Sequence, residues 1–195
     1  MYSLLSICLK VNTQLARTKE TVKEVKIKLP ICNQHDSGHD SQWSHRICAI
    51  CSLWMLLKLH DSKFNVSVMD LVKTGLAKDG YVQGVGWKHA VIVELAKDLG
   101  LELQYAKKFF YSFEEKESGL LIINHNLENG QPVLVSVHRL QGSHVLVVHG
   151  FKESDGKVIG YYIQDSDGRI HGHNYFLTTE EFLSSWRGGL IYWDF

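Results

Sequence analysis

A chain of 195 residues is long enough for one domain, or one domain and a tail. Its 45% hydrophobic and 22% charged residues exclude a disordered or fibrous polymer. Twenty-one basic side chains balance twenty-one acidic ones, so no net field draws the molecule to nucleic acid or anionic lipid.

Residues 1–29 carry Lys10, Arg17, Lys19, Lys23, Lys26 and Lys28 against only Glu20 and Glu24. They read as a basic N-terminal extension, a solvated helix or strand over the domain in preference to a tail for an acidic partner. The first residues lack a basic n-region and a small-residue cleavage site. No apolar run reaches the roughly 18 residues of a membrane helix. Four cysteines are too sparse for a disulfide scaffold. The expectation is a cytoplasmic chain with reduced thiols and no membrane contact.

The domain proper is read over residues 30–195, and Pro30 punctuates its start. Residues 31–47 are polar and read as a loop. Cys48 to Leu59 is almost continuously apolar, free of Gly and Pro, and predicts a buried helix. A second helix starts near Ser67, where Asp70 completes a capping-box-like start. A third spans Trp87 to Leu99, with Gly100 closing it. Residues 119–128 are left open between helix and strand.

After Pro132 the apolar period changes to two. Val133–His138, His144–Phe151 and Val158–Gln164 predict antiparallel strands. A short helix begins at Thr178, with Glu181 completing a capping box, and Leu190–Trp193 predicts a last strand. Helices first and antiparallel strands second is an α+β order.

Cys48 stands where the polar loop meets the buried helix. Unpaired backbone N–H groups and the positive end of the macrodipole there favour a thiolate, which is the nucleophilic form. A small apolar filler is the competing reading. Cys51 adds a Cys-x-x-Cys, yet Cys32, His35, His39 and His45 match no zinc spacing and no strand precedes the pair, so Cys51 reads as core.

Among eleven histidines, His144 is the candidate base because it opens a strand. Period two puts His149 on the other face, where a structural role is expected. His171 and His173 read as exposed polar filler in preference to metal ligands. Asp165 and Asp167, at the end of the next strand, both qualify to orient the base. Gln34 and Gln42 are both available as oxyanion donors beside the Cys48 backbone N–H.

At these residues the sequence resembles the papain-like cysteine peptidases of the bacteriocin-processing type, the C thirty-nine group and its stand-alone relatives. Cys48, Ser52, Leu53 and Met55 fall on that family's helix pattern, and Gly142-Ser-His144 to Gly150 with the strand ending at Asp165 resembles its later motifs. Gly86-Trp87-Lys-His89, Gly130-Gln-Pro132-Val and Thr179-Glu-Glu-Phe182 with Trp186-Arg-Gly188 agree in order, over roughly residues 29 to 193. Three positions depart: Ala49 stands for a usual Gly, Ser166 for a usual Pro, and Ser143 is inserted. The Pro30-to-Asp36 segment fits the stand-alone relatives and favours Gln34; Gln42 has the shorter spacing of the transporter-linked and papain forms.

The resemblance implies a papain-like fold in which N-terminal helices, with the nucleophile at a helix start, pack on a C-terminal antiparallel sheet. It further implies a peptidase acting on a peptide or isopeptide bond of a peptide or protein substrate. Cys48 would attack, His144 transfer protons, Asp165 hold His144, and Gln34 stabilise the oxyanion, with no cofactor or metal required. Alternatives on the same fold are an amidase or acyltransferase using these groups, or a silent peptide-binding module.

Overall fold

The computed structural model describes residues 21–36, 40–106, 110–139 and 142–193. Of the basic N-terminal segment, residues 1–20 lie outside the described residues. The remainder of that segment contains a strand, β1 (Val22–Lys26). Next come three helices, α1 (Cys48–His60), α2 (Val68–Ala77) and α3 (His89–Asp98), with a small hairpin of β2 (Tyr81–Val82) and β3 (Gly86–Trp87) before α3. After β4 (Leu103–Tyr105) and α4 (Phe113–Glu128), the chain forms β5 (Val133–Arg139), β6 (Gly142–Ser154), β7 (Lys157–Gln164) and β8 (Asn174–Thr178). It ends in α5 (Thr179–Ser185) and β9 (Trp186–Trp193). No helix among the described residues is long and apolar enough to cross a membrane.

The sheet is antiparallel throughout, in the order β4-β9-β5-β6-β7-β8. β6 is long enough to pair with β5 over residues 142–148 and with β1 over 150–154, while β7 takes its other edge. Gly150 permits the β1 contact, because a Cβ there would collide with the Val25 carbonyl.

Alternation along the strands divides the core. Leu134, Val147 and Ile191 pack with α1, α2 and α3 in one cluster. Val133, Val135, Val137, Leu146, Val148 and Leu190 pack with Ile123 and Leu127 of α4 and Phe182 of α5 in the other. The sheet therefore lies between two helical layers. α1 is buried almost all round; Ile50, Leu53 and Leu56 are fully enclosed, each worth about 1.5–3 kcal/mol of burial. That burial fixes where the first residue of α1 sits.

Several local expectations change. The third helix starts at His89, since Gly86 adopts φ +119 and Trp87 pairs with Tyr81 across the hairpin. Residues 119–128 are helical and belong to a helix begun at Phe113, nucleated by a reciprocal capping box between Ser112 and Glu115. The last strand begins at Trp186, and β8 occupies a segment for which the sequence suggested no element.

Candidate active site

Cys48 is the first residue of α1. The helix is preceded by Ile47, which provides no side-chain cap, and its first turn holds no acidic residue. The N-terminal N–H groups and the positive dipole end are thus left to the thiol. One turn on, Ser52 donates its hydroxyl to the Val145 carbonyl at 3.4 Å, tying α1 to β6 next to His144.

The His144 imidazole hydrogen-bonds the Cys48 thiol. Its Nε2 lies 2.6 Å from Asp165 Oδ1, so Nδ1 is the nitrogen that faces sulfur. Asp165 follows directly on β7 and is buried, with Oδ1 also accepting the Asp167 backbone N–H at 2.7 Å. Burial works against a Cys48 thiolate, but the His144 charge, its hydrogen bond and the backbone N–H groups of Val145 and Ala49 outweigh it and bring the thiol below its ordinary value. Burial likewise lowers His144, yet the Cys48 charge and the hydrogen bonds to Asp165 and Cys48 raise it to about 9. Such opposed shifts describe a thiolate–imidazolium pair.

Gln34 is buried in the loop between β1 and α1. Its Oε1 accepts the Ser166 hydroxyl at 2.8 Å, and its backbone N–H donates to the Ser166 carbonyl at 3.0 Å. Gln42 is exposed and turns its amide to Asp40 at 2.8 Å. Asp167 makes no contact with His144; it accepts from His35, Arg139 and Arg169, and the Arg169 hydrogen bond leads in holding its carboxyl well below the usual range.

The sequence matches the Peptidase_C39 like family over residues 26–188. The chain belongs to that family. Its fold is also that of the peptidase domain of Streptococcus ComA, a bifunctional ABC transporter involved in quorum sensing. There the TM-score is 0.57 and the identity 22%, over 85% of this chain and 96% of that domain. A double glycine motif protease from an AMS/PCAT transporter, solved with its leader peptide, gives 0.53 at 19% identity, over 87% of this chain and 95% of that one. No curated protein sequence matches. Family and fold are thus those of cysteine peptidases of the bacteriocin-processing kind.

For a member of the Peptidase_C39 like family, the departures acquire local explanations. Ser166 replaces Pro and thereby supplies the hydroxyl that holds Gln34. Inserted Ser143 reaches the Val85 carbonyl at 3.4 Å, joining the β2–β3 hairpin to the start of β6.

Sequence reasoning missed a supporting shell. Arg139 spans Asp165 and Asp167, with Nη2 on the first and Nη1 on the second at 3.1 Å. His173 is half-buried, with Nδ1 donating to the Asp165 carbonyl at 2.7 Å, while its own carbonyl accepts the Asp165 N–H at 2.9 Å. His149 donates Nδ1 to the Ile27 carbonyl at 2.7 Å, the structural role expected for it. Only an aspartate-rich turn after a strand hinted that basic partners would gather there.

Cys51 is core, as expected: its thiol hydrogen-bonds Cys32, which together with burial raises it well above its ordinary value. Among the described residues no group of three His, Cys, Asp or Glu side chains is placed to hold a metal ion. Beside Cys48 opens a cleft of about 600 Å³, walled in part by Tyr81, Trp87 and Tyr105.

Proposed function

We propose that this chain is a cysteine peptidase hydrolysing a peptide or isopeptide bond through Cys48, His144 and Asp165, with Gln34 in the oxyanion hole. The Cys48 thiolate attacks the carbonyl carbon, and the oxyanion that forms is met by the Gln34 amide and the Cys48 backbone N–H. The intermediate collapses to a thioester as the His144 imidazolium protonates the leaving amine. Water then attacks the thioester as neutral His144 takes its proton, releasing the acid and restoring the Cys48 thiolate beside the His144 imidazolium. Asp165 fixes the tautomer and orientation of His144 throughout.

The observation that carries this reading is the hydrogen-bonded line from the Cys48 thiol through His144 to Asp165, with Cys48 lowered and His144 raised. The test is the pH dependence of alkylation of each cysteine, followed by mass spectrometry in wild type and His144→Ala. Cys48 alone is expected to react fast below the ordinary thiol range, and the variant to lose that advantage. Reaction of Cys48 no faster than Cys32, or indifference to His144, would leave only a peptide-binding module on this fold.

A further inference from the structure

We propose that the cleft beside Cys48 contains an anion subsite, centred on Arg187 with Arg46 and Lys88 at its rim, which takes a carboxylate of the substrate. The proposal rests on the peptidase reading only for calling the bound peptide a substrate; the binding itself requires no catalysis.

The lining of this cleft includes the permanent cations Arg46, Lys88 and Arg187, and not one Asp or Glu among the described residues. The whole chain is neutral, so a one-signed cleft is a local arrangement and not overflow from a basic surface. The two arginines elsewhere among the described residues are neutralised by carboxylates, Arg139 by Asp165 and Asp167 and Arg169 by Asp167, whereas unpaired lysines also occur outside the cleft. Among the described residues neither Arg46, Lys88 nor Arg187 has an ion-pair partner.

Arg187 is the member set deepest. It is half-buried on β9, at the place where the β5–β9 ladder shifts register between Ser136 and Val137. A bulge of this kind re-aims a side chain out of the ladder. The next residue, Gly188, has φ +86 and lies against the Phe110 backbone, whose N–H it accepts at 3.1 Å, so the backbone carrying Arg187 is held in place.

Close by, His89 Nε2 lies 3.0 Å from the buried Ser136 hydroxyl. Burial, and after it the Arg187 charge, hold His89 below its ordinary value, so it lines the cleft as a neutral ring and leaves the charge to Arg187. A half-buried arginine without a counter-charge gains from an ion pair that its own fold does not supply. An arriving carboxylate supplies that pair, and the planar fork of Arg suits it for bidentate contact. The exposed Arg46 and Lys88 add long-range attraction during approach. A volume of about 600 Å³ is within the range of sites that take small molecules and cofactors, room enough for a side chain or a chain end.

An Asp or Glu side chain and a chain-terminal carboxylate offer the same chemistry. The test uses the full chain carrying Cys48→Ala, which binds without turnover. It is titrated by fluorescence anisotropy with labelled decapeptide libraries in which each position in turn is Glu, Gln or Lys, with C-termini amidated or free. The expected result is at least tenfold tighter binding of Glu-containing or free-carboxylate peptides than of their Gln, amidated counterparts. Which of the two gains tells a side-chain site from a chain-end site.

That preference should shrink with added salt and collapse in Arg187→Gln, with Arg187→Lys retaining part of it and both variants melting with the parent. Equal affinity for Glu and Gln peptides, tighter binding of Lys peptides, or a preference that survives Arg187→Gln combined with Lys88→Gln would overturn the proposal. Failure of the peptidase reading shows separately, as an ordinary Cys48 thiol in the alkylation experiment.

Discussion

Ser166 grips Gln34 at both ends: its hydroxyl donates to Gln34 Oε1 at 2.8 Å and its carbonyl accepts the Gln34 backbone N–H at 3.0 Å. Both side chains are buried, so the amide has little freedom to turn. In the proposed reaction Gln34 is the oxyanion donor and Ser166 positions it. Gln34→Ala should lower kcat by about 10²–10³-fold. Ser166→Ala should remove about 1 kcal/mol of positioning, near fivefold in kcat, with KM unchanged. Saturation kinetics on one peptide substrate separate these, and a KM change without a kcat change in Gln34→Ala would place Gln34 outside the oxyanion hole.

The features readable in the sequence were mostly local. The Thr178–Glu181 capping box forms as its residues specify, and the apolar run from Cys48 becomes the buried helix α1. Period two yields β5, β6 and β7, because each strand's two faces meet different helical layers. β1 was not readable as a sheet member. Its Val-Lys-Glu-Val-Lys looks like a solvated charged run, and its pairing depends on Gly150, more than a hundred residues away. Arg139 was equally hidden, since only the return of β7 beside β6 brings Asp165 to a guanidinium on β5. Such long-range partners leave no periodic trace.

Cys48 is lowered from 9.0 and His144 is raised from 6.5 to about 9, so the thiolate–imidazolium pair exists between the lowered thiol value and about 9. Below that window the thiol regains its proton; above it the imidazolium loses the proton that the leaving amine needs. Hydrolysis should therefore fall on both sides, with a basic limb near 9. Alkylation consumes only the thiolate and should keep the acid limb alone. Cys51, raised by its hydrogen bond to Cys32 and by burial, should stay unreactive across the range. Identical profiles for hydrolysis and alkylation would contradict the role of His144 as acid.

Asp165→Asn preserves shape but changes what His144 Nε2 meets, and should lower kcat by about 10²–10⁴-fold through a misplaced tautomer. Thiol alkylation at high pH, where no imidazolium is needed, should suffer far less. Loss of both in equal measure would indicate a misfolded site and not a misoriented base.

Arg139 is the one cation reaching both Asp165 and Asp167 among the described residues, and it keeps only 20% side-chain exposure. Arg139→Gln leaves two buried carboxylates facing each other without that bridge, and should cost about 3 kcal/mol, the lower end for breaking a buried pair. Arg139→Lys retains charge but has no fork to span both, and should recover less than half of the loss. Urea unfolding midpoints with equal slopes read both values. An unchanged midpoint in Arg139→Gln would mean that Arg169 and His35 suffice for Asp167, and that His144, Tyr175 and the Asp167 backbone N–H suffice for Asp165.

Gly75, in the middle of α2, sets intrinsic helix preference against packing. Alanine there gains about 1 kcal/mol of helix propensity. Its Cβ would lie 2.5 Å from Trp87 Cζ3 and 3.3 Å from Leu95 Cδ1. Trp87 cannot yield easily, because its indole N–H donates to the Arg46 carbonyl at 2.8 Å and its ring packs on Tyr81 with centroids 5.5 Å apart. Overpacking of this kind costs about 1–3 kcal/mol and outweighs the helical gain. Gly75→Ala should therefore lower the unfolding midpoint and, by pushing Trp87 toward the cleft it lines, raise KM for peptide more than it lowers kcat. A stabilised variant with unchanged KM would mean that the Trp87 wall moves aside freely.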